Sequence, residues 1–190
     1  HEQGIAIGDE AGVLRILDST TLVERRRFAP GLGPIQELVA LPQADRVLLG
    51  CSDGTIAIVT VVDGVIVWSA KAHEADVRAL AVASTGTAFA SGGREGRVLI
   101  WPIAAGEPKE LARHDAPLWS LWFDDAGTTL ASGDETGWLR ITAVDGSASQ
   151  RQRLGNRNLM AIASTRDGDA LWIGSADQAL FRVDLRQTES

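Results

Sequence analysis

Short apolar runs, separated by Gly, Asp and Ser, recur along the whole chain. Val98-Leu-Ile-Trp101, Ile56-Ala-Ile-Val-Thr-Val-Val62 and Leu118-Trp-Ser-Leu-Trp-Phe123 are rich in β-branched or aromatic residues and predict strands. Asp63-Gly64 lies between two such runs and predicts a hairpin, because a type I′ turn needs positive φ at both central residues. Several runs are apolar at consecutive positions instead of alternate ones. Both faces of the sheet must then be covered, as in an antiparallel sheet stacked between two like sheets. No long stretch keeps the ~3.6-residue apolar period of a helix.

The runs are periodic. Ile5-Ala-Ile-Gly8, Val47-Leu-Leu-Gly50, Phe89-Ala-Ser-Gly92, Leu130-Ala-Ser-Gly133 and Leu171-Trp-Ile-Gly174 place their glycines at steps of 42, 42, 41 and 41. Gly86, Gly127 and Gly168 repeat at 41 and 41, and Asp63-Gly64 returns as Asp145-Gly146 after 82, twice 41. Three ladders share one period, and a period of roughly 40 to 45 residues is that of a four-stranded propeller blade.

Residues 73–101 carry a resemblance to a known family. His73-Glu-Ala-Asp-Val77, Arg78-Ala-Leu-Ala-Val82, Gly86, Phe89-Ala-Ser-Gly92, Glu95-Gly96 and Val98-Leu-Ile-Trp101 together resemble one WD repeat. The departures are Ala72 where Gly is usual, Glu95 where Asp is usual, and Pro102 in place of the final Asp. The next unit keeps His114 and Ser132, with Thr136 at the turn acid and Thr142 at the Trp. The units around Gly50 and Gly174 keep the turn acids Asp53 and Asp177 but have Gly31 and Gly155 at the His. The resemblance covers essentially the whole chain.

It implies an all-β fold, a β-propeller of four-stranded antiparallel blades numbered a to d from the hub outward. The chain then holds about four and a half blades of a larger ring: an incomplete blade at 1–28, blades at about 35–69, 77–112 and 118–154, and an incomplete blade at 159–185. The chain opens on His1 and not Met, and is read as a section of a longer polypeptide. The resemblance also implies a structural hydrogen-bond chain of His73, Ser91, Glu95 and Trp101, with His114, Ser132, Asp53 and Asp177 as its counterparts. In such propellers the residues flanking the first apolar position of strand a reach the surface at the channel mouth. Here these are Pro34 and Gln36, Asp76 and Arg78, Pro117 and Trp119, Asn158 and Met160. Strand alternation sets Trp119 out of phase with Leu118. It either faces outward beside Arg78, as in an interface hot spot, or packs between blades like Trp122.

Composition narrows the function. At 190 residues with 45% hydrophobic and 23% charged positions, the chain can bury a real core. A formal charge of -7 argues against nucleic acid, which is held by basic faces that release counterions. Cys51 is the single cysteine, so neither an intrachain disulfide nor a multi-thiolate metal site is expected, and with three His the inventory for zinc is thin. No apolar run is long enough to span a membrane, Ile56 to Ala70 being broken by Asp63-Gly64. Arginine outnumbers lysine sixteen to two, which points to a high-GC bacterial coding sequence. A cytoplasmic location is the default.

No catalytic constellation emerges. Asp9-Glu10, Asp124-Asp125 and Asp134-Glu135 fall in predicted turns, where adjacent carboxylates without a His or Lys partner read as solvated. Arg25-Arg-Arg27 falls on the outermost strand of its blade and reads as a charge cluster against edge pairing. The expectation is therefore a non-catalytic protein-interaction scaffold without cofactor or metal, whose partners are proteins and further blades. The alternative is a regulatory or sensor segment of a larger bacterial kinase, STAND-type ATPase or caspase-like protease.

Overall fold

A computed structural model describes residues 4–42, 45–103 and 106–185. They form five antiparallel sheets, each built from strands consecutive in the chain. The first holds β1 (Gly4–Gly8), β2 (Leu14–Asp18) and β3 (Glu24–Phe28). The second holds β4 (Ile35–Ala40), β5 (Arg46–Cys51), β6 (Thr55–Thr60) and β7 (Ile66–Lys71). The third holds β8 (Val77–Val82), β9 (Ala88–Gly93), β10 (Arg97–Pro102) and β11 (Lys109–Arg113). The fourth holds β12 (Leu118–Phe123), β13 (Thr129–Asp134), β14 (Trp138–Ala143) and β15 (Ser149–Arg153), and the fifth β16 (Leu159–Ser164), β17 (Ala170–Ser175) and β18 (Ala179–Asp184). The described residues contain no helix, and so none long and apolar enough to cross a membrane. The fold is an all-β arrangement of propeller blades.

The core lies between sheets. Leu48, Ile56, Leu80, Phe89 and Trp101 join the second sheet to the third, and Leu14, Ile35, Leu49 and Val59 join the first to the second. The middle strands β5, β6, β9 and β10 are therefore buried at almost every position, which explains their unbroken apolar runs. The outer strand β7 alternates half-buried and exposed residues, and β15 is exposed throughout.

The glycine ladder has a steric origin. A Cβ on Gly8, Gly50 or Gly133 would run into Ile35, Val77 or Leu159, the first residue of the next sheet, and Gly92 approaches Leu118 in the same way. Glycine lets each blade seat its first apolar residue directly on the backbone of the blade before it.

The turn between the two outer strands also repeats. Gly64 and Gly146 hold φ of +73° and +84° there, and Leu22 takes the same place in the first sheet at φ +57°. Its side chain is exposed, so nothing offsets the left-handed strain. Leu22→Gly should raise stability by about 0.5 to 1 kcal/mol, after the larger chain entropy of glycine is subtracted. A urea midpoint that stays put or falls would refute this.

Candidate functional site

His73 sits in the turn that leads from β7 to β8 and is buried at 2% exposure. Its Nδ1 lies 2.5 Å from Glu95 Oε1 and its Nε2 2.8 Å from Ser91 Oγ, while Trp101 Nε1–H donates to the same Oγ at 3.0 Å. The donors line up in one direction: indole to hydroxyl, hydroxyl to imidazole, imidazole to carboxylate. That order suits a neutral imidazole carrying its proton on Nδ1. Burial pushes the His73 pKa below its ordinary 6.5, and this outweighs the hydrogen bond and charge of Glu95, which act the other way. A depressed histidine pKa contributes stability that is complete above about 6.5 and is lost as pH falls. The melting temperature should therefore decline below pH 6.5 in the wild type, and this decline should be weaker in His73→Gln. Equal slopes would show that His73 is not the group responsible.

The fourth sheet solves the same problem with other atoms. His114 Nδ1 is 2.9 Å from Asp134 Oδ2, and its Nε2 is 2.8 Å from Ser132 Oγ. Thr136, at the position expected for the turn acid, has its backbone N–H and Oγ1 bonded to Asp134. The acid has moved two residues back. Asp134 is thus no solvated turn residue but a buried one at 2% exposure. In the third sheet the matching residue is Gly93, and a Cβ there would collide with the Glu95 carboxylate and His73 Nδ1. Glu95 reaches over that vacant space; Asp134 grows from within it. Thr142, in the place of Trp101, turns to Ser149 Oγ at 3.0 Å.

Where the imidazole is missing, the turn acids bind backbone. Asp177 accepts from the Asn156 N–H at 2.8 Å, next to Gly155, and Asp53 accepts from the Thr55 N–H and hydroxyl, both at 2.9 Å. Asp9 and Asp124 likewise cap their own turns.

Ser–His–acid order resembles a nucleophile with its base and orienter, but access decides against that chemistry here. Ser91 and Ser132 are 0% and 2% exposed, so no substrate carbonyl can approach either Oγ. The cavity beside His114, Asp134 and Trp138 measures about 10 Å³, too little for more than one water. Among the described residues no group of three or more His, Cys, Asp or Glu converges as for a metal ion.

The inner strands present a different set. In β4, β8, β12 and β16 the pairing register slips after the first residue, between Ile35 and Glu37, Val77 and Ala79, Leu118 and Ser120, Leu159 and Ala161. Gln36, Arg78, Trp119 and Met160 are the residues left out of the ladder. Such a bulge re-aims its side chain. The residue before each strand is fixed by a backbone bond from the next turn: Ser52 to Pro34, Arg94 to Asp76, Glu135 to Pro117 and Ala176 to Asn158, all at 2.9 Å. Gln36 and Met160 are exposed, while Arg78 and Trp119 are half-buried. The Arg78 guanidinium lies 5.2 Å from the Trp119 ring centroid and 2.9 Å from Asp76, and Trp119 Nε1 and Arg78 Nε are buried with no hydrogen-bond partner. Trp122, three residues on, packs against the core between the fourth and fifth sheets.

Comparison with known proteins fits this geometry. The family described as WD domain, G-beta repeat, matches residues 64–102. Rat apoptotic protease-activating factor 1 is 30% identical over 146 residues, 76% of this chain and 11% of that protein. Methylosome protein WDR77 of Xenopus laevis is 22% identical over 174 residues, covering 85% of this chain and 52% of that protein. The crystal structure of the computationally designed Ika8 protein superposes with a TM-score of 0.83 at 18% identity, over 97% of this chain and 56% of that one. The chain spans about half or less of the length of each of these.

Proposed function

The chain belongs to the WD-repeat family, and from that premise we propose that it is a non-catalytic interaction scaffold that binds a protein partner on the face at the starts of its inner strands. WD-repeat domains generally mediate protein–protein interaction. The row of four bulges carries the reading, because it delivers Gln36, Arg78, Trp119 and Met160 at one level in four successive blades. Pro34, Asp76, Pro117 and Asn158 flank that row. Arg78 over Trp119 gives it a pre-ordered centre: a cation stacked on an indole is already in place before a partner arrives. Met160 adds an adaptable apolar contact.

The match to a short stretch of apoptotic protease-activating factor 1 favours a second, compatible reading, in which this scaffold is the regulatory segment of a larger polypeptide. Further blades from the same or another chain would then continue the ring. A cytoplasmic setting agrees with a single cysteine, Cys51, that is free and buried.

The test is affinity capture with the wild type, Trp119→Ala and Trp119→Ala with Arg78→Ala, followed by mass spectrometry and a titration of the partner found. Trp119→Ala should weaken binding by about 2 kcal/mol or more, with folding nearly unchanged. Undiminished affinity, or a loss that tracks a lowered melting temperature, would remove this face from consideration.

A further inference from the structure

We propose that the groove between the first and second sheets binds an acidic, aliphatic peptide segment of a protein partner, at a site separate from the row of bulges. The groove has a volume of about 410 Å³ and is walled by Ile16, Leu38 and Val61 among other apolar side chains, with Arg25, Arg26 and Arg46 as its only charged residues among the described ones. Among the described residues three cations and no acid line one groove of a chain whose formal charge is -7. Arg25 is bonded to Asp18, whereas Arg26 and Arg46 make no ion pair among the described residues.

The next junction also holds a groove, of about 330 Å³, and shows how the lining of this one differs. Trp68 pairs with Ile58 there and packs on Phe89 and Trp101 of the third sheet, with ring centroids 5.9 and 5.5 Å away. One repeat earlier Arg26 pairs with Ile16 as Trp68 pairs with Ile58, and Val47 and Val59 stand where Phe89 and Trp101 stand. Three aromatic positions have become one arginine and two valines. The groove that is walled by aromatic rings in one repeat is walled by aliphatic side chains and Arg26 in the other, so Arg26 does more than guard a strand edge.

The occupant follows from this lining. Aliphatic walls take branched side chains, and guanidinium groups take carboxylates with directional hydrogen bonds. Arg26 on β3 and Arg46 at the start of β5 lie on opposite walls, so two carboxylates along one segment suit them better than a single-headed ligand.

The probe is a short fluorescein-labelled peptide of alternating Leu and Glu, read by fluorescence anisotropy, with Leu–Gln and Leu–Lys peptides beside it. Saturable binding of the Leu–Glu peptide alone is expected, weakening with salt. Arg26→Glu with Arg46→Glu should reduce its affinity about tenfold or more. Val47→Phe, which fills the groove but keeps the charges, should also weaken it, and Trp119→Ala should leave it unchanged. Melting curves identify any variant that has lost its fold. Equal binding of the Leu–Gln peptide, or indifference to both the charge reversal and the filling, would overturn the proposal. So would loss of binding in a longer polypeptide carrying residues ahead of His1, since the groove would then be covered by its own chain.

Discussion

Trp101→Ala should lower stability by about 3 to 5 kcal/mol, as expected for truncating a large buried aromatic side chain. Trp101 is 4% exposed, stacked at 5.8 Å on Phe89 and edge-on to Trp68 at 5.5 Å. The substitution empties the junction of the second and third sheets and strips Ser91 of its indole donor. Trp172→Ala is the natural control, because that ring is 40% exposed and its loss should change stability little. Urea unfolding measures both. If Trp101→Ala cost no more than the control, the aromatic cluster would not be the core it looks like.

Asp134→Ala should cost about 3 kcal/mol, in the range for removing one partner of a buried pair. The carboxylate accepts from His114 Nδ1 and from the backbone of Thr136 and Trp138, and all of these donors would be left behind. Burial raises the Asp134 pKa, but the hydrogen bonds from His114, Trp138 and Thr136 overcome this and hold it below the ordinary 3.8. This contribution is complete above about 3.8 and is lost as pH falls further, so the variant should lose less stability than the wild type in acid. A sharper check exchanges the two solutions found in neighbouring blades. Asp134→Gly with Thr136→Glu recreates the Gly93 and Glu95 arrangement, and should recover part of the stability that Asp134→Gly alone loses. No recovery would mean that the two acids are not equivalent.

Strand order and turn positions were legible in the sequence because they rest on local chemistry that recurs at a fixed period. Inner strands begin at Ile35, Val77, Leu118 and Leu159, and the glycines at 8, 50, 92 and 133 mark the strand end on which each is seated. His73, Ser91, Glu95 and Trp101 belong to one repeat, and their association was implied by the resemblance of that repeat to a WD repeat.

Asp134 could not be found that way. A column-by-column comparison puts Thr136 opposite Glu95, yet what His114 requires is a carboxylate at Nδ1, and a shorter side chain two residues earlier ends at the same point in space. Trp119 had two admissible positions from strand alternation alone; a bulge in β12 and the approach of Arg78 from the neighbouring sheet leave the ring half-buried, between the two. The cationic groove is hidden for the same reason, since Arg26 and Arg46 are distant in sequence and meet only across a junction of two sheets. The sequence by itself determined the repeat, the strands and the turns, whose hydrogen bonds close within a few residues. The tertiary structure decided which carboxylate serves each histidine, how far Trp119 is covered and which side chains line each junction, because those depend on side-chain length and volume between strands that the chain order does not bring together.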